Sequence, residues 1–306
     1  MNRHVITFEN DNKSKQSLTL EDKWGENREE KHSGRNDPDM IDTIDGYIID
    51  LDGTVYRGKQ AIDGAKESIA LLRSRGKRMV FLSNRGNISR TMCHDKLKSM
   101  GIDVRPEEIL LSSTVTAQYL QANYPSAKAW VLGEQGLRDE LSIAKLALAE
   151  RPEEADWLVI TLHETLTYAE LNQAFRAVRH GARIIATNAD KSFPGDDGES
   201  IDVGGMIGAI VAAAGQEVEI VIGKPSKVMS DAALRLLDLP ADRCVVIGDS
   251  FASDIRLGKQ AGIRTALVLS GSASMEDAKS AADKPDWIWE SLTALSTLLQ
   301  RNEELG

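Results

Sequence analysis

The sequence predicts an α/β fold, a doubly wound parallel sheet with a second α/β domain inserted into it. Two observations support this. Short runs of apolar, β-branched residues alternate with helical segments along most of the 306 residues, and buried strands separated by helices are typical of parallel βαβ units. Most of these runs also end in small or polar residues, as expected where the carboxyl ends of parallel strands meet at a ligand-binding edge.

The composition is that of a soluble globular protein, with 42% hydrophobic and 27% charged residues. The net charge of -10 argues against nucleic acid as a partner, because no stripe of lysine and arginine attracts a phosphate polymer. No apolar stretch of about 18 residues is present, so we expect a cytoplasmic protein without a membrane partner. Cys93 and Cys244 have no CxxC spacing, and we expect them to be buried free thiols.

Residues 1–40 differ from the rest of the chain, because they are mostly polar and charged and their few apolar residues have no sustained period. We expect this segment to be a flexible, charged N-terminal tail. From residue 41 onward, apolar runs and helical segments alternate. The runs that we predict as strands are residues 47–50, 78–84, 129–133, 156–164, 183–188, 219–225, 244–250 and 265–271, and helical segments include residues 62–75, 89–100, 167–180 and 226–237.

The spacing between the polar strand ends indicates an inserted domain. Asp50 and Ser83 are 33 residues apart, which suits one βα unit and its return strand. Ser83 and Lys224, by contrast, are 141 residues apart, and the stretch between them has strands and helices of its own. We therefore predict a core formed by residues 41–125 and 217–306, and an inserted cap domain over residues 126–216.

Two carboxylates follow directly after the first predicted strand, at Asp50 and Asp52 in the run YIIDLDGT. Burying one charge is costly, and two neighbouring charges cost more unless a cation is bound. Taken singly, each polar strand end has an ordinary explanation, because an aspartate such as Asp249 often caps a helix and a lysine such as Lys224 is often solvated. A single match therefore decides nothing.

Together the strand ends form a set that suits phosphoryl transfer. A carboxylate can take the phosphoryl group as an aspartyl-phosphate, which divides a slow hydrolysis into two steps. Because an anion must then approach another anion, the reaction needs a divalent cation, and Mg²⁺ takes carboxylate oxygens such as those of Asp50 and Asp249. Ser83, the backbone amides after it and Lys224 suit the stabilisation of the developing charge.

Asp52 suits the remaining task, which is to protonate the leaving oxygen and later to deprotonate the attacking water. A neighbouring carboxylate and a metal shift its proton affinity in opposite directions, so we expect the pair of carboxylates to titrate as a coupled unit. In the predicted cap, Asn188 follows a strand end, and we predict that it faces the substrate.

Four segments of the chain resemble the four motifs of the haloacid dehalogenase (HAD) superfamily, in the same order. These segments are DLDGT at 50–54, FLSN at 81–84, IGKP at 222–225 and IGDSFASDI at 247–255. The insertion between the second and third motifs is similar to a C2 cap. The resemblance covers most of the chain after residue 40 and implies a Rossmann-like HAD core with an inserted C2 cap domain.

Segments of the predicted cap narrow the resemblance. VLGEQGL at 131–137 and ATNADKSFP at 186–194 look like the NagD-type phosphatases. LHETLTY at 162–168 and FLSNRGNISR at 81–90 are most similar to a sugar phosphatase of that group. The resemblance implies a Mg²⁺-dependent phosphatase of low specificity.

The resemblance also implies roles for the matching residues. Asp50 would be the nucleophile and Asp52 the general acid/base. Mg²⁺ would be held by the Asp50 carboxylate, the backbone carbonyl of Asp52 and Asp249.

Further residues of the motifs would bind the phosphoryl group. Ser83 and Asn84 would contact it, Lys224 would neutralise it, and Asp254 would orient Lys224 or the metal's waters from behind. The chain departs from many relatives at Arg85-Gly86-Asn87, directly after the second motif. We include Arg85 among the predicted substrate-binding residues.

The residues and the resemblance together predict a Mg²⁺-dependent phosphomonoesterase for sugar phosphates and related small phosphometabolites. The resemblance also implies a homodimer formed through the cap. Three alternatives stay open. The first is a phosphatase for another small ester, such as a nucleotide, pyridoxal phosphate or phosphoglycolate. The others are an aspartyl-phosphate phosphotransferase or mutase, and a metabolite-binding protein without turnover, against which the four complete motifs argue.

Overall fold

The computed structural model describes residues 38–195 and 198–304. The predicted flexible tail, residues 1–40, lies outside this range except for its last three residues, which begin a 3₁₀-helix, Pro38–Thr43. Ile41 in this helix and Ile44 after it are fully buried, in the same apolar cluster as Tyr47. Within the described part of the chain, no helix is long and apolar enough to cross a membrane.

The described residues form strands and helices in the alternating order that the sequence predicts. The strands are β1 (Gly46–Ile49), β2 (Tyr56–Arg57), β3 (Gln60–Ala61), β4 (Arg78–Ser83), β5 (Ile109–Leu111), β6 (Lys128–Leu132), β7 (Ala147–Leu148), β8 (Trp157–Ile160), β9 (Arg183–Ala186), β10 (Ser192–Gly195), β11 (Gly198–Ile201), β12 (Ile220–Val221), β13 (Cys244–Gly248), β14 (Arg264–Val268) and β15 (Trp287–Trp289). The α-helices are α1 (Ala65–Ser74), α2 (Arg90–Ser99), α3 (Ser112–Asn123), α4 (Gln135–Ile143), α5 (Tyr168–Arg179), α6 (Val203–Ala214), α7 (Lys227–Leu237), α8 (Arg256–Ala261), α9 (Met275–Ser280) and α10 (Thr293–Glu304).

The main sheet has six parallel strands in the order β15-β14-β13-β1-β4-β5. β1 lies in its middle, where Ile49 is paired with Ile247 of β13 on one side and Phe81 of β4 on the other. The order reverses direction on either side of β1, which makes the carboxyl end of β1 the switch point of the sheet. The predicted α/β class with a parallel, doubly wound sheet is confirmed.

Burial on both faces of the sheet explains why the sequence of β1 is an unbroken apolar run. Tyr47 and Ile49 belong to the apolar cluster on one face of the sheet, and Ile48 belongs to the cluster on the other face. Successive side chains of a strand point to opposite faces, so a sheet covered on both sides selects apolar residues throughout. Cys93 and Cys244 each lie in one of these clusters as buried free thiols, as predicted.

A second parallel sheet, in the order β12-β9-β8-β6-β7, is built from the chain between β5 and β13. An antiparallel hairpin, β10–β11, leaves it after β9. β12 pairs with β9, where Ile220 lies opposite Ile185, so the chain stays in the second sheet until Val221. The predicted limit of the cap, residue 216, falls ahead of this strand. A hydrophobic pattern does not reveal which of two parallel sheets a short strand joins.

Candidate active site

The loop after β1 begins the site. Asp50 follows β1 directly and is 7% exposed, and its Oδ2 accepts a hydrogen bond from the Thr54 hydroxyl at 3.4 Å. The chain then turns at Gly53 with a φ of 83°, a left-handed conformation that favours glycine. A Cβ at Gly53 would lie 2.5 Å from Oδ2 of Asp249. The glycine therefore lets this loop approach the end of the neighbouring strand β13.

Lys224 is bound on three sides at the centre of the site. Its Nζ donates to Oδ1 of Asp50 at 2.5 Å, to Oδ1 of Asp254 at 2.7 Å and to the Leu82 carbonyl at 3.2 Å. Lys224 is 5% exposed and Asp254 is 1% exposed. An ammonium group has three N–H donors, so all of them are used, and Lys224 is fixed to the ends of β1 and β4.

Asp249 adds a third carboxylate at the end of β13. Its Oδ2 accepts from the backbone N–H of Ser272 at 2.6 Å. Ligand oxygens of Asp50, Asp249 and Asp254 all lie within 4.8 Å of one another. Both oxygens of Asp254 are already engaged, one by Lys224 and the other by the backbone N–H of Ser250 at 3.1 Å. Asp254 is also only 1% exposed, whereas Asp50 is 7% and Asp249 8% exposed, so Asp50 and Asp249 are the more open pair for a cation.

The electrostatics of this group favour a bound cation. Burial raises the pKa of Asp50 well above its usual value; the opposing effect of Lys224 is smaller, and the charges of Asp254 and Asp249 raise it further. Burial likewise raises the pKa of Asp249. Burial lowers the pKa of Lys224, but the carboxylates of Asp254 and Asp50 outweigh it, so the pKa ends above the usual value and Lys224 stays charged. Three buried carboxylates share one ammonium group, and a divalent cation with oxygen preference, such as Mg²⁺, fits the excess of negative charge.

Asp52 points away from this group. Its Oδ2 accepts from the Tyr56 hydroxyl at 2.9 Å and from Nε of Arg85 at 3.3 Å, and its Oδ1 lies 3.4 Å from a terminal nitrogen of Arg85. The Arg85 guanidinium in turn lies 5.4 Å from the ring centroid of Phe193 on β10. Asp52 is 37% exposed, so it reaches the solvent-filled side of the site that Asp50 does not.

Asn84 and Asn188 join the two sheets to each other. Asn84 follows β4, its Oδ1 accepts from the backbone N–H of Lys224 at 2.7 Å, and its Nδ2 donates to Asp190 at 2.9 Å. The Asn188 side chain donates to the Asn84 carbonyl at 2.9 Å and accepts from the backbone N–H of Asp190 at 3.0 Å. Both amide side chains, predicted to contact substrate, are thus used in the junction. Ser83 is buried beside them, and its hydroxyl accepts from the backbone N–H of Arg85 at 3.1 Å.

Gly86 explains part of the unusual Arg85-Gly86-Asn87 segment. A Cβ at this position would lie 2.3 Å from the hydroxyl oxygens of both Thr161 and Thr187, which follow β8 and β9 of the second sheet. The two threonines are fully buried and hydrogen-bonded to each other at 2.9 Å. Only a residue without a side chain lets the loop after β4 lie this close to the second sheet.

Comparison with known proteins identifies the family. Residues 47–147 match a family described as haloacid dehalogenase-like hydrolase, and residues 221–295 match a second one described as HAD-hydrolase-like. The chain is 54% identical to the sugar-phosphatase AraL of Bacillus subtilis (strain 168) over 255 aligned residues. The alignment covers 83% of this chain and 93% of that relative. The chain belongs to the haloacid dehalogenase-like hydrolases.

Other HAD proteins are similar over nearly their whole length. The acid sugar phosphatase of Staphylococcus haemolyticus (strain JCSC1435) is 34% identical over 85% of this chain and 98% of its own. The structure of a p-nitrophenyl phosphatase from Archaeoglobus fulgidus matches with a TM-score of 0.78 and 35% identity, over 83% of this chain and 98% of its own. NagD from E. coli K-12 matches with a TM-score of 0.75 and 29% identity, over 82% and 97%. The predicted family and enzyme class, a NagD-type HAD phosphatase, are confirmed.

Of the predicted site residues of this HAD protein, the structure brings Asp50, Lys224, Asp249 and Asp254 into direct contact or within ligand distance. The sequence reasoning for Asp52 missed one residue at the site, Tyr56, and the contact between Arg85 and Phe193. Tyr56 lies only four positions after Asp52 in DLDGTVY, and this short spacing could have indicated that its hydroxyl donates to the Asp52 carboxylate. The contact between Arg85 and Phe193 joins positions that are 108 residues apart, so no local pattern in the sequence predicts it.

Proposed function

We propose that this HAD hydrolase is a Mg²⁺-dependent phosphomonoesterase that acts on sugar phosphates and related small phosphometabolites. The observation that supports it most strongly is the group of three buried carboxylates around Lys224 at the carboxyl edge of the main sheet. Its donors are all oxygens, as Mg²⁺ prefers, and one of them, Asp50, is held as a nucleophile would be. The 54% identity to a sugar phosphatase supports the substrate class.

The proposed reaction has two steps. In the first, a carboxylate oxygen of Asp50 forms a bond to phosphorus while the bond from phosphorus to the leaving oxygen breaks, and Asp52 gives that oxygen a proton. In the second, a water molecule attacks the phosphorus of the aspartyl-phosphate and gives its proton to Asp52. The bond between Asp50 and phosphorus then breaks, which releases inorganic phosphate and restores both carboxyl groups.

The proposed metal site uses the carboxylates of Asp50 and Asp249 and the backbone carbonyl of Asp52. When bound, Mg²⁺ would supply positive charge for the phosphoryl oxygens. Lys224, 2.5 Å from Oδ1 of Asp50, fixes the nucleophile and provides a second positive charge. Asp254 holds Lys224 from behind at 2.7 Å.

We propose two kinds of contribution from the remaining residues. Ser83 and the backbone amides after it contact the phosphoryl group. Asn84 and Asn188 act through the junction that they form, because their side chains bond to each other's segments. Arg85 faces the side of the site where the leaving group would lie, beside Asp52.

We further propose that the second sheet and its helices form the cap domain and that two chains pair through it. Four large apolar side chains of this part of the chain are exposed, which supports a protein contact there: Ile143, Leu148, Tyr168 and Ile201. Light scattering of the purified protein would measure the mass, and a monomer at all concentrations would contradict the homodimer.

The experiment that tests the proposed function is a panel of phosphate esters with release of inorganic phosphate as the readout. We expect sugar monophosphates to be hydrolysed with added Mg²⁺ and the reaction to stop with EDTA. Nucleotides, pyridoxal phosphate and phosphoglycolate belong in the same panel as the alternative substrates. Transfer of the phosphoryl group to a second sugar without free phosphate would indicate a mutase, and tight binding without turnover would indicate a binding protein.

A further inference from the structure

We propose that Arg85 is a positioning residue that fixes the orientation of the Asp52 carboxylate and ties it to the β10–β11 hairpin through Phe193. The inference rests on the proposed function, because it concerns the proton donor of that reaction. It differs from the role that the sequence predicts for Arg85, which is contact with the substrate itself.

The Asp52 carboxylate is held from two sides. Tyr56 is fully buried and donates its hydroxyl proton to Oδ2 at 2.9 Å, and Nζ of Lys96 lies 3.7 Å from the centroid of the Tyr56 ring. Arg85 reaches both oxygens, with its Nε 3.3 Å from Oδ2 and a terminal nitrogen 3.4 Å from Oδ1. A planar guanidinium that contacts both oxygens of a carboxylate restricts rotation of the carboxylate plane, which a single donor does not.

Arg85 is itself held by the β10–β11 hairpin. Its guanidinium lies 5.4 Å from the ring centroid of Phe193, a cation–π distance. The negative charge of Asp202, which caps α6 directly after β11, also acts on Arg85. On the other side, the backbone N–H of Arg85 donates to the Ser83 hydroxyl at 3.1 Å. The arginine thus lies between the proposed proton donor, in the loop after β1, and the β10–β11 hairpin.

This arrangement gives the hairpin an influence on proton transfer. When the hairpin is in place, Phe193 keeps the guanidinium plane against Asp52, and Asp52 points to one location. Protonation of the leaving oxygen then depends on Arg85 and Phe193 together, since one orients the carboxylate and the other contacts the guanidinium.

The test measures how kcat/KM depends on the basicity of the leaving group, with a series of aryl phosphates of similar size from p-nitrophenyl phosphate to phenyl phosphate. Good leaving groups need no proton in the transition state, whereas poor ones do. For Arg85→Met we expect kcat/KM to fall about 100-fold for phenyl phosphate and only about threefold for p-nitrophenyl phosphate. Phe193→Leu, which keeps the apolar volume but removes the aromatic face, should give a smaller effect of the same kind.

Three comparisons complete the design. Arg85→Lys keeps the positive charge and should restore part of the lost rate for phenyl phosphate. Arg151→Ala is the matched control, because Arg151 also pairs with a carboxylate, Glu154, but lies before the amino end of β8, at the opposite edge of the second sheet. It should leave the whole series unchanged.

The outcomes separate this inference from the function on which it rests. If the wild-type protein releases phosphate neither from sugar phosphates nor from aryl phosphates, the proposed function fails. If the wild type is active and Arg85→Met lowers kcat/KM equally for all members of the series, Arg85 binds the phosphoryl group and the inference is wrong. It is also wrong if Arg85→Met changes nothing.

Discussion

The two aspartates of the DLD segment lie two residues apart, yet they have opposite surroundings. Asp50 is buried against Lys224, whose three donors are all used within the ends of the main sheet. Asp52 is 37% exposed and held by Tyr56 and Arg85, and Arg85 is supported by Phe193 of the β10–β11 hairpin. The proposed nucleophile is therefore buried between the ends of main-sheet strands and a lysine on the connection from the second sheet, whereas the proposed proton donor is partly exposed and contacts an arginine that the hairpin supports.

This difference has a chemical reason. The nucleophile has to stay at one point relative to the metal and the phosphoryl group, and fixed charges stabilise a transition state best when they do not reorganise. The proton donor meets first a leaving oxygen and then a water molecule, so it needs access. The following substitutions test whether the two regions differ in this way.

The largest effect is expected for Asp50→Asn. The amide cannot form the acyl phosphate, so turnover of p-nitrophenyl phosphate should fall by about 10⁴-fold or more. Phosphate release is the measurement, and circular dichroism checks that the variant folds. Activity close to wild type would show that Asp50 is not the nucleophile.

Lys224→Met should be the most costly change for stability. It leaves Asp50 and Asp254 buried without their counter-charge, and the free energy of unfolding in EDTA should fall by about 3–5 kcal/mol. The matched control is Lys227→Met, because Lys227 pairs with Asp231 on the surface and is 84% exposed.

The control should change the free energy of unfolding by less than about 1 kcal/mol. Urea titrations of both variants give the comparison. Equal losses for Lys224→Met and Lys227→Met would mean that the buried group contributes no more than a surface pair.

Asp52→Asn should slow turnover of sugar phosphates by about 100-fold, since the amide can neither give nor take the required proton. Because Asp52 is half-exposed and its partners remain, we expect its unfolding free energy to change much less than that of Lys224→Met. A near-normal rate would remove Asp52 from the role of acid/base.

Tyr56→Phe should have the smallest effect of the series. It removes one neutral hydrogen bond to Asp52 while Arg85 still holds both carboxylate oxygens, so kcat/KM should fall by only about three- to tenfold, or about 1 kcal/mol. Steady-state kinetics with phenyl phosphate measures this. A loss larger than that of Arg85→Met would show that the tyrosine, and not the arginine, orients Asp52.

The group of charged residues at the carboxyl edge of the main sheet could be predicted from the sequence. The contacts between the two sheets could not. Asp50, Asp249 and the end of β4 each follow a buried strand, and parallel strands bring their carboxyl ends to one edge, so periodicity alone predicts that they meet. Lys224 was placed there by the same rule, although its strand, β12, pairs in the other sheet. Lys224 reaches this edge because it comes three residues after β12, on the connection that returns from the second sheet.

The contacts between the two sheets depend on how closely the loop after β4 approaches the second sheet. No local sequence pattern predicts that distance. Asn84 and Asn188 look like substrate ligands in the sequence because they are polar residues at strand ends, and the structure uses their side chains to hold the junction. In the sequence, Gly86 is an ordinary loop residue. The structure shows why a glycine is needed there, because Thr161 and Thr187 leave no room for a side chain.

The position of Lys224 between β12 and α7 restricts the length of the segment that connects the second sheet to the main sheet. Segments that connect two units of a protein are usually the places where insertions are tolerated. Here the connection that returns from the second sheet carries the ammonium group that holds Asp50, the proposed nucleophile, and its backbone is bonded to Asn84. A residue added between Val221 and Lys224 would leave both sheets intact and still displace that charge, so the length of this short connection is set by the chemistry.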